Sequence, residues 1–156
     1  MVKKILYATD MSEKARKAYE YTLDLAERYN ADITVLHVLE NLSHMSNMLV
    51  GEILGHTKWE ALQVEHQKRV IKQLETNLAV FCSETQAGVD SCRLTQGHIK
   101  VREGDAPGII LEEADDCGAD LIVIGANGWN QSGEKRLGNT ARQVVRNSGV
   151  PVFVVK

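Results

Sequence analysis

The sequence has little of what builds disulfide scaffolds, zinc sites or membrane spans. Its three cysteines, Cys82, Cys92 and Cys117, are odd in number, and no two of them have C-x-x-C spacing. This pattern argues against a disulfide framework and a zinc site and favours reduced thiols. The apolar run near the N-terminus stops at Thr9 and Asp10, so neither a signal peptide nor a spanning segment is predicted. We therefore expect a cytoplasmic protein without a membrane partner.

An excess of basic charge is also missing. The chain has 18 Lys and Arg residues against 21 Asp and Glu residues, a formal net charge of −3. No basic field is available to attract nucleic acid, so a nucleic-acid partner is not expected. At 156 residues and 44% hydrophobic content, the chain is long enough for a substantial core. The composition predicts a single domain over residues 1–156.

The two standard phosphate-binding motifs, G-x-x-x-x-G-K-[ST] and G-x-G-x-x-G, occur nowhere in the chain. Three glycines, Gly125, Gly128 and Gly138, lie instead between an apolar run, Leu121 to Ile124, and a helical pattern. A strand, a glycine-rich loop and a helix start often bind phosphate, because backbone N–H groups can approach the anion closely. An ordinary tight turn would use the same glycines, and the pattern alone leaves both interpretations open.

Short apolar runs alternate with amphipathic helical patterns along the whole chain, which is typical of a doubly wound parallel α/β sheet. The predicted strands are Lys4 to Thr9, Ile33 to Val38, Ile99 to Arg102, Leu121 to Ile124 and Val152 to Val155. The first and fourth are the least polar and are predicted to be central. In the third, Lys100 and Arg102 alternate with apolar residues, which predicts an edge strand with one face toward solvent.

Helix boundaries can be predicted from capping residues. Ser12 is a plausible N-cap of the first helix, and Asp105 and Gly118 are predicted to begin and end another. The buried stripe predicted for the first helix is Ala15, Ala18, Tyr19, Thr22, Ala26 and Tyr29. A long helix is predicted from about Thr57 to Ser83.

The array G-x2-G-x9-G resembles the nucleotide loop of the universal stress protein family. The chain has Asn139 and Thr140 after the last glycine, whereas the family pattern has Ser or Thr directly after it. The first strand runs into Ala8-Thr9-Asp10-Met11-Ser12, the family's other marker, and the resemblance covers essentially the whole chain. It implies a five-stranded sheet of the adenine nucleotide alpha hydrolase-like kind, with strand order 3-2-1-4-5.

The resemblance also implies a site for ATP, or for ADP or AMP, at the carboxyl ends of the central strands. The expected nucleotide-binding residues are Ala8, Thr9, Asp10, Val38, Ile124, Gly125, Gly128, Gly138, Asn139 and Thr140. Backbone N–H groups of Gly128, Gly138, Asn139 and Thr140 would bind the phosphates, and Val38 would offer backbone groups to adenine. Asp10 suits ribose hydroxyls, the adenine amino group or a water-bound Mg²⁺ ion. No catalytic residue and no direct metal ligand are assigned.

Several of these residues also have a purely structural interpretation. Asp10 could be only a favourable anion at the start of a helix, and Thr140 only a helix cap. His37 is predicted to be a hydrogen-bonded core histidine and not a base. The sequence gives no firm role to Lys135 and Arg136, to Trp129, or to the His and Met residues between Glu40 and His56.

Three functions follow from this sequence. The favoured one is an ATP-binding stress-response or regulatory module. One alternative is an interaction protein that binds no nucleotide. The segment Leu137 to Gln143 resembles the universal stress protein A branch, for which the family pattern implies no ATP binding. Another is a slow ATP hydrolase, although no general base, arginine finger or metal pair is recognisable. The apolar last strand, Val150 to Val155, predicts a homodimer because an open edge strand must be covered or paired.

Overall fold

The computed structural model describes residues 1–40, 98–126 and 137–156, together with residues 65, 68–69, 72–73, 75–77, 79–81 and 83–84. The strands are β1 Lys4–Ala8, β2 Asp32–Leu39, β3 Ile99–Glu103, β4 Leu121–Gly125 and β5 Val152–Val155. The helices are α1 Glu13–Tyr29, α2 Ala106–Cys117 and α3 Asn139–Asn147. The described residues between 65 and 84 are helical as well, so the predicted long helix is confirmed there. Within the described residues, no helix is both long enough and apolar enough to cross a bilayer.

The sheet is parallel throughout and has the order β3-β2-β1-β4-β5. The predicted strand order is therefore confirmed, with β1 and β4 side by side in the middle. The chain moves outward from β1 in both directions, so the connections on its two sides leave a crevice at the carboxyl ends of these strands. Open parallel sheets bind their ligands at such a crevice.

The core lies on both faces of the sheet, and β1 shows why. Ile5 and Tyr7 pack into one cluster with α1, whereas Leu6 and Ala8 pack into a second cluster with α2 and α3. All four are buried. Because successive strand residues point to opposite faces, an unbroken apolar run is what a strand covered on both sides requires.

The predicted helix caps are confirmed. The Ser12 hydroxyl accepts a hydrogen bond from the Ala15 N–H group at 3.3 Å, and α1 begins at the next residue. The Asp105 carboxylate accepts one from the Gly108 N–H group at 3.1 Å, at the start of α2. Helix α2 ends at Gly118, whose φ of 63° lies in the left-handed region that glycine adopts without steric cost.

The buried stripe predicted for α1 is wrong at one residue. The stripe is buried from Ala15 to Ala26, but Tyr29 is 48% exposed, and Leu23 is buried instead. Helix α1 ends at Tyr29, and the chain turns away through the left-handed residue Asn30. The ring of Tyr29 therefore has no further turn of helix around it to complete its burial.

The orientation predicted for β3 is also wrong in part. The strand is an edge strand, as predicted, but Lys100 and Arg102 do not lie on a free solvent face. Their side-chain nitrogens contact the carboxylate of Glu113 on α2, at 2.6 and 3.3 Å. Glu113 is buried. Helix α2 follows β3 directly and packs back over this face, so the two cations pair with its buried carboxylate.

Candidate functional site

A pocket of about 180 Å³ opens at the carboxyl ends of β1, β2 and β4, with walls from the first turns of α2 and α3. Its lining residues are Ala8, Thr9, Asp10, Ala15, Leu36, Val38, Ala106, Ile110, Ile124, Gly125, Thr140 and Ala141. The inner wall is apolar, and the polar groups gather where β1 and α3 meet the opening. The pocket thus lies at the point where the sheet reverses its winding.

The structure brings most of the predicted site residues to this pocket. Those in its lining are Ala8, Thr9, Asp10, Val38, Ile124, Gly125 and Thr140. Gly138 and Asn139 are the two residues that precede Thr140 at the start of α3. Gly128 lies outside the described residues, as do Trp129, Lys135, Arg136 and the His and Met residues between 40 and 56.

The helical walls of the pocket were not predicted from the sequence. Ala106 and Ile110 on α2, together with Ala141 on α3, close the pocket opposite the strands. The available signal was their spacing: Ala106, Ile110 and Ala114 repeat every four residues and are all buried. Such a stripe predicts which face of α2 meets the sheet, but it does not say that one end of the face overhangs a crevice.

The turn after β1 has a tightly bonded backbone. The Thr9 hydroxyl accepts a hydrogen bond from the Met11 N–H group at 3.0 Å, and the Asp10 carboxylate accepts one from the Ser12 N–H group at 3.0 Å. Met11 has a φ of 59°, which is unusual for a residue with a side chain. Such conformations cost about 1–3 kcal/mol and are found where a surrounding structure imposes them, often at binding sites. The turn thereby holds Asp10 at the mouth of the pocket.

The carboxyl end of β2 contacts this turn through backbone and side chain. The Thr9 N–H group donates to the Leu36 carbonyl at 2.9 Å, and Nδ1 of His37 lies 2.8 Å from the Thr9 carbonyl oxygen. His37 is half-buried and hydrogen-bonded, as predicted for a core histidine. Val38 follows it and lines the pocket.

Helix α3 presents its N-terminus to the pocket. Gly138 is its N-cap and provides no capping side chain, and the Arg142 N–H group donates to the Gly138 carbonyl at 3.0 Å. The N–H groups of Asn139, Thr140 and Ala141 precede that bond and have no partner within the helix. Thr140 lies inside α3, so the interpretation of this residue as the helix cap is wrong. The arrangement brings N–H donors that the helix itself does not use, and the positive end of a helix dipole, to the pocket.

The charge of the pocket is sparse in the part of the chain that the structure describes. Asp10 is the one ionisable side chain among its described lining residues. Within residues 1–40, 98–126 and 137–156, no three His, Cys, Asp or Glu side chains lie together as metal ligands would. These residues therefore present backbone dipoles and a hydroxyl group to an anion. To a cation they present one carboxylate.

Comparison with known proteins gives a consistent result along the whole chain. The model of the universal stress protein family matches residues 1–156. Universal stress protein MJ0577 of Methanocaldococcus jannaschii is 27% identical, with 100% of this chain and 96% of that protein covered. Universal stress protein Sll1654 of Synechocystis is 30% identical, with 99% and 86% covered. The solved structure of MJ0577 has a TM-score of 0.71 at 25% identity and covers 100% of this chain and 96% of that one. The chain therefore belongs to the universal stress protein family and has its adenine nucleotide alpha hydrolase-like fold.

Proposed function

We propose that the protein binds an adenine nucleotide, with ATP preferred, and acts as a stress-response or regulatory module. The observation that carries this proposal is the convergence on one pocket of an apolar wall, the Asp10 carboxylate and the open N-terminus of α3. A flat apolar base, a polar sugar and an anionic phosphate chain need these three environments in that order. The described part of the pocket offers them side by side.

The apolar inner end would hold the base. Leu36, Ile110 and Ile124 form its walls, and Val38 lies at its edge. A volume of about 180 Å³ is below the roughly 300–1,000 Å³ of sites that enclose a whole ligand. A nucleotide would therefore insert its base and leave its phosphates at the mouth.

The mouth would hold the phosphates and the sugar. The N–H groups of Asn139, Thr140 and Ala141 suit an anion, and the Thr140 hydroxyl adds a further donor. Gly128 and Gly138, by resemblance to the family loop, would let the phosphates approach the backbone. Asp10 repels phosphate, so its role would be to accept ribose hydroxyls or to bind Mg²⁺ through water.

Two structures of related fold contain adenine nucleotides. A universal stress protein in complex with cAMP has a TM-score of 0.62 and 18% identity to this chain, and the Archaeoglobus fulgidus protein in complex with dAMP has 0.56 and 18%. At this identity the likeness is one of fold. The proposal for this chain therefore depends on its own pocket, with those complexes as support.

Isothermal titration calorimetry with ATP, ADP, AMP and cAMP, each with and without Mg²⁺, tests the proposal. We expect saturable binding of ATP and a rise in melting temperature that follows its concentration. An absence of both heat and thermal shift at about millimolar ATP would contradict the proposal. The interaction protein that binds no nucleotide would then be the better interpretation.

We also propose that the protein is a homodimer joined through residues Val150 to Val155. Strand β5 is an edge of the sheet, and Phe153 on it is 39% exposed. Its ring lies 6.0 Å from that of Tyr21, itself 44% exposed, so the apolar surface continues onto α1. Pairing with the same strand of a second molecule would cover both the open edge and these rings.

A further inference from the structure

The β1–β2 ladder ends abruptly beside the pocket. Its pairs run from Lys4 and Asp32 to Ala8 and Leu36, and the Thr9 N–H group still donates to the Leu36 carbonyl at 2.9 Å. In a parallel ladder, alternate residues of a strand bond to the same neighbour. The next rung would therefore be made by Val38, with its N–H group donating to the Thr9 carbonyl and its C=O group accepting from Met11.

Side chains occupy both positions of that missing rung. Nδ1 of His37 lies 2.8 Å from the Thr9 carbonyl oxygen, and the Met11 N–H group donates to the Thr9 hydroxyl at 3.0 Å. A carbonyl oxygen only accepts hydrogen bonds, so Nδ1 of His37 must carry the hydrogen. Among the described residues, neither backbone group of Val38 has a hydrogen-bond partner on the side of β1.

We propose that His37 and Thr9 are positioning residues, which end the ladder one rung early and keep the N–H and C=O groups of Val38 open toward the ligand's base. This inference rests on the proposed function. The ring of His37 replaces the donor that β2 would have used, and the hydroxyl of Thr9 replaces the acceptor. At Val38, the backbone edge of β2 is thereby available to a ligand and not to β1.

The free pair of Val38 also selects a base. One residue offers a donor and an acceptor side by side on the same edge. Adenine carries an acceptor nitrogen beside its exocyclic amino group, whereas guanine carries a protonated ring nitrogen beside its carbonyl oxygen. The two bases thus present donor and acceptor in opposite order. With the sugar directed to the mouth of the pocket, only one of the two orders matches the N–H and C=O groups of Val38. We expect the order in adenine to match, in line with the role toward adenine that the family resemblance implies for Val38.

The test compares His37→Phe, which retains an aromatic ring and removes the donor, with His37→Asn, which restores a short N–H donor. ATP and GTP affinities are measured by calorimetry for the wild type and both variants. We expect His37→Phe to bind ATP roughly tenfold more weakly and to lose a similar part of its preference over GTP. His37→Asn should recover much of both. A role limited to stability would lower the melting temperature and leave the ATP to GTP ratio unchanged.

A measurement on the unmodified protein keeps the inference testable if His37→Phe does not fold. The amide hydrogen of Val38 should exchange rapidly in the free protein and slowly with AMP bound. Slow exchange in the free protein would overturn the inference, as would an unchanged ATP to GTP ratio in His37→Phe. Failure of the wild type to bind any adenine nucleotide would instead overturn the proposed function, so the two failures are distinguishable.

Discussion

Asp120 joins the two central strands at the end of the sheet opposite the pocket. Its carboxylate accepts hydrogen bonds from the backbone N–H groups of Lys3 and Lys4, at 2.7 and 3.0 Å. These two bonds, that of Lys3 first, hold the pKa of the carboxyl group below its ordinary value of 3.8. A carboxyl group whose pKa is lower in the folded state stabilises the fold above its unfolded pKa. That contribution disappears as the pH falls through the folded pKa.

We therefore predict that Asp120→Asn lowers the melting temperature at neutral pH and that the difference from the wild type shrinks below about pH 4. The asparagine retains an oxygen acceptor but carries no charge for the two N–H groups. Thermal melts from about pH 2 to pH 7 measure this. Asp24→Asn is the control, because the pKa of Asp24 is also lowered, in this case by its hydrogen bond to the exposed side chain of Arg28. A smaller effect is expected there, since exposed ion pairs contribute little.

Single residues were predictable from sequence where their interaction is local. Ser12 and Asp105 bond to N–H groups three residues away, so their spacing in the sequence already contains the contact. The partner of His37 lies 28 residues away on another strand, and the left-handed turn at Met11 is held from within its own loop. Nothing in the composition or period of the sequence indicates the contact of His37, because it exists only when β1 and β2 are paired.

At the scale of elements, the contact between β3 and α2 is an ion-pair cluster around Glu113. Its carboxylate is 3% exposed and receives Lys100 and Arg102, which are 41% and 29% exposed. Arg102 also contacts Glu112 at 3.1 Å, and that hydrogen bond is the first cause of the raised pKa of its guanidinium group. Removing one charge from a buried cluster leaves its partners desolvated and uncompensated.

We predict that Glu113→Gln lowers the free energy of unfolding by roughly 2 kcal/mol. This is less than the roughly 3–5 kcal/mol for breaking a fully buried pair, because both cations keep access to water. Glu112→Gln is the matched control. It makes the same chemical change in a carboxylate that lies 3.1 Å from the same guanidinium group, but on a side chain that is 57% exposed. It should cost less than about 1 kcal/mol. Equal losses in the two variants, measured by urea unfolding, would contradict the role given to Glu113.

The start of α3 allows a second test at this scale. Gly138 has a φ of −59°, which any residue can adopt, so Gly138→Val should fold. Its added side chain would stand at the helix N-terminus where phosphate is proposed to approach the backbone, and we expect ATP affinity to fall at least tenfold. Gly149→Val is the control, because a Cβ atom at Gly149 meets nothing within 4 Å. Calorimetry that finds unchanged affinity in a folded Gly138→Val protein would show that this loop is only a turn.

The helices and strands could be predicted because the pattern that indicates each one lies in consecutive residues. Runs such as Leu121 to Ile124 are apolar on both faces, and this pattern identifies a strand buried between helices. The pairing of Lys100 and Arg102 with Glu113 could not be predicted in the same way. Alternating charge looks the same whether the outer face meets water or a carboxylate brought there by the next helix, and only the packing of α2 decides between them.

The whole molecule has two open sheet edges among the described strands, and the backbone of β5 shows how its edge is oriented. The carbonyls of Pro151 and Val155 accept hydrogen bonds from the β4 side, at 3.0 and 2.7 Å. Residues of the same parity face the same neighbour, so the backbone groups of Val152 and Val154 point to the open edge. The proposed dimer would pair these groups with their equivalents in a second chain.

This orientation allows a test that disrupts pairing at the open edge of β5 without disrupting the pairing of β5 with β4. Val154→Pro removes the N–H group that faces outward and leaves the bonds to β4 in place, because proline is tolerated on an edge strand. We expect it to be monomeric by light scattering at micromolar concentration, with the secondary structure of the wild type. Val154→Thr retains both the N–H group and the β-branched shape and should remain dimeric. Phe153→Asp should also weaken the dimer, since it introduces a charge beside Tyr21. A dimer that survives Val154→Pro and Phe153→Asp with unchanged affinity must use another surface, and a monomeric wild type would exclude the dimer altogether.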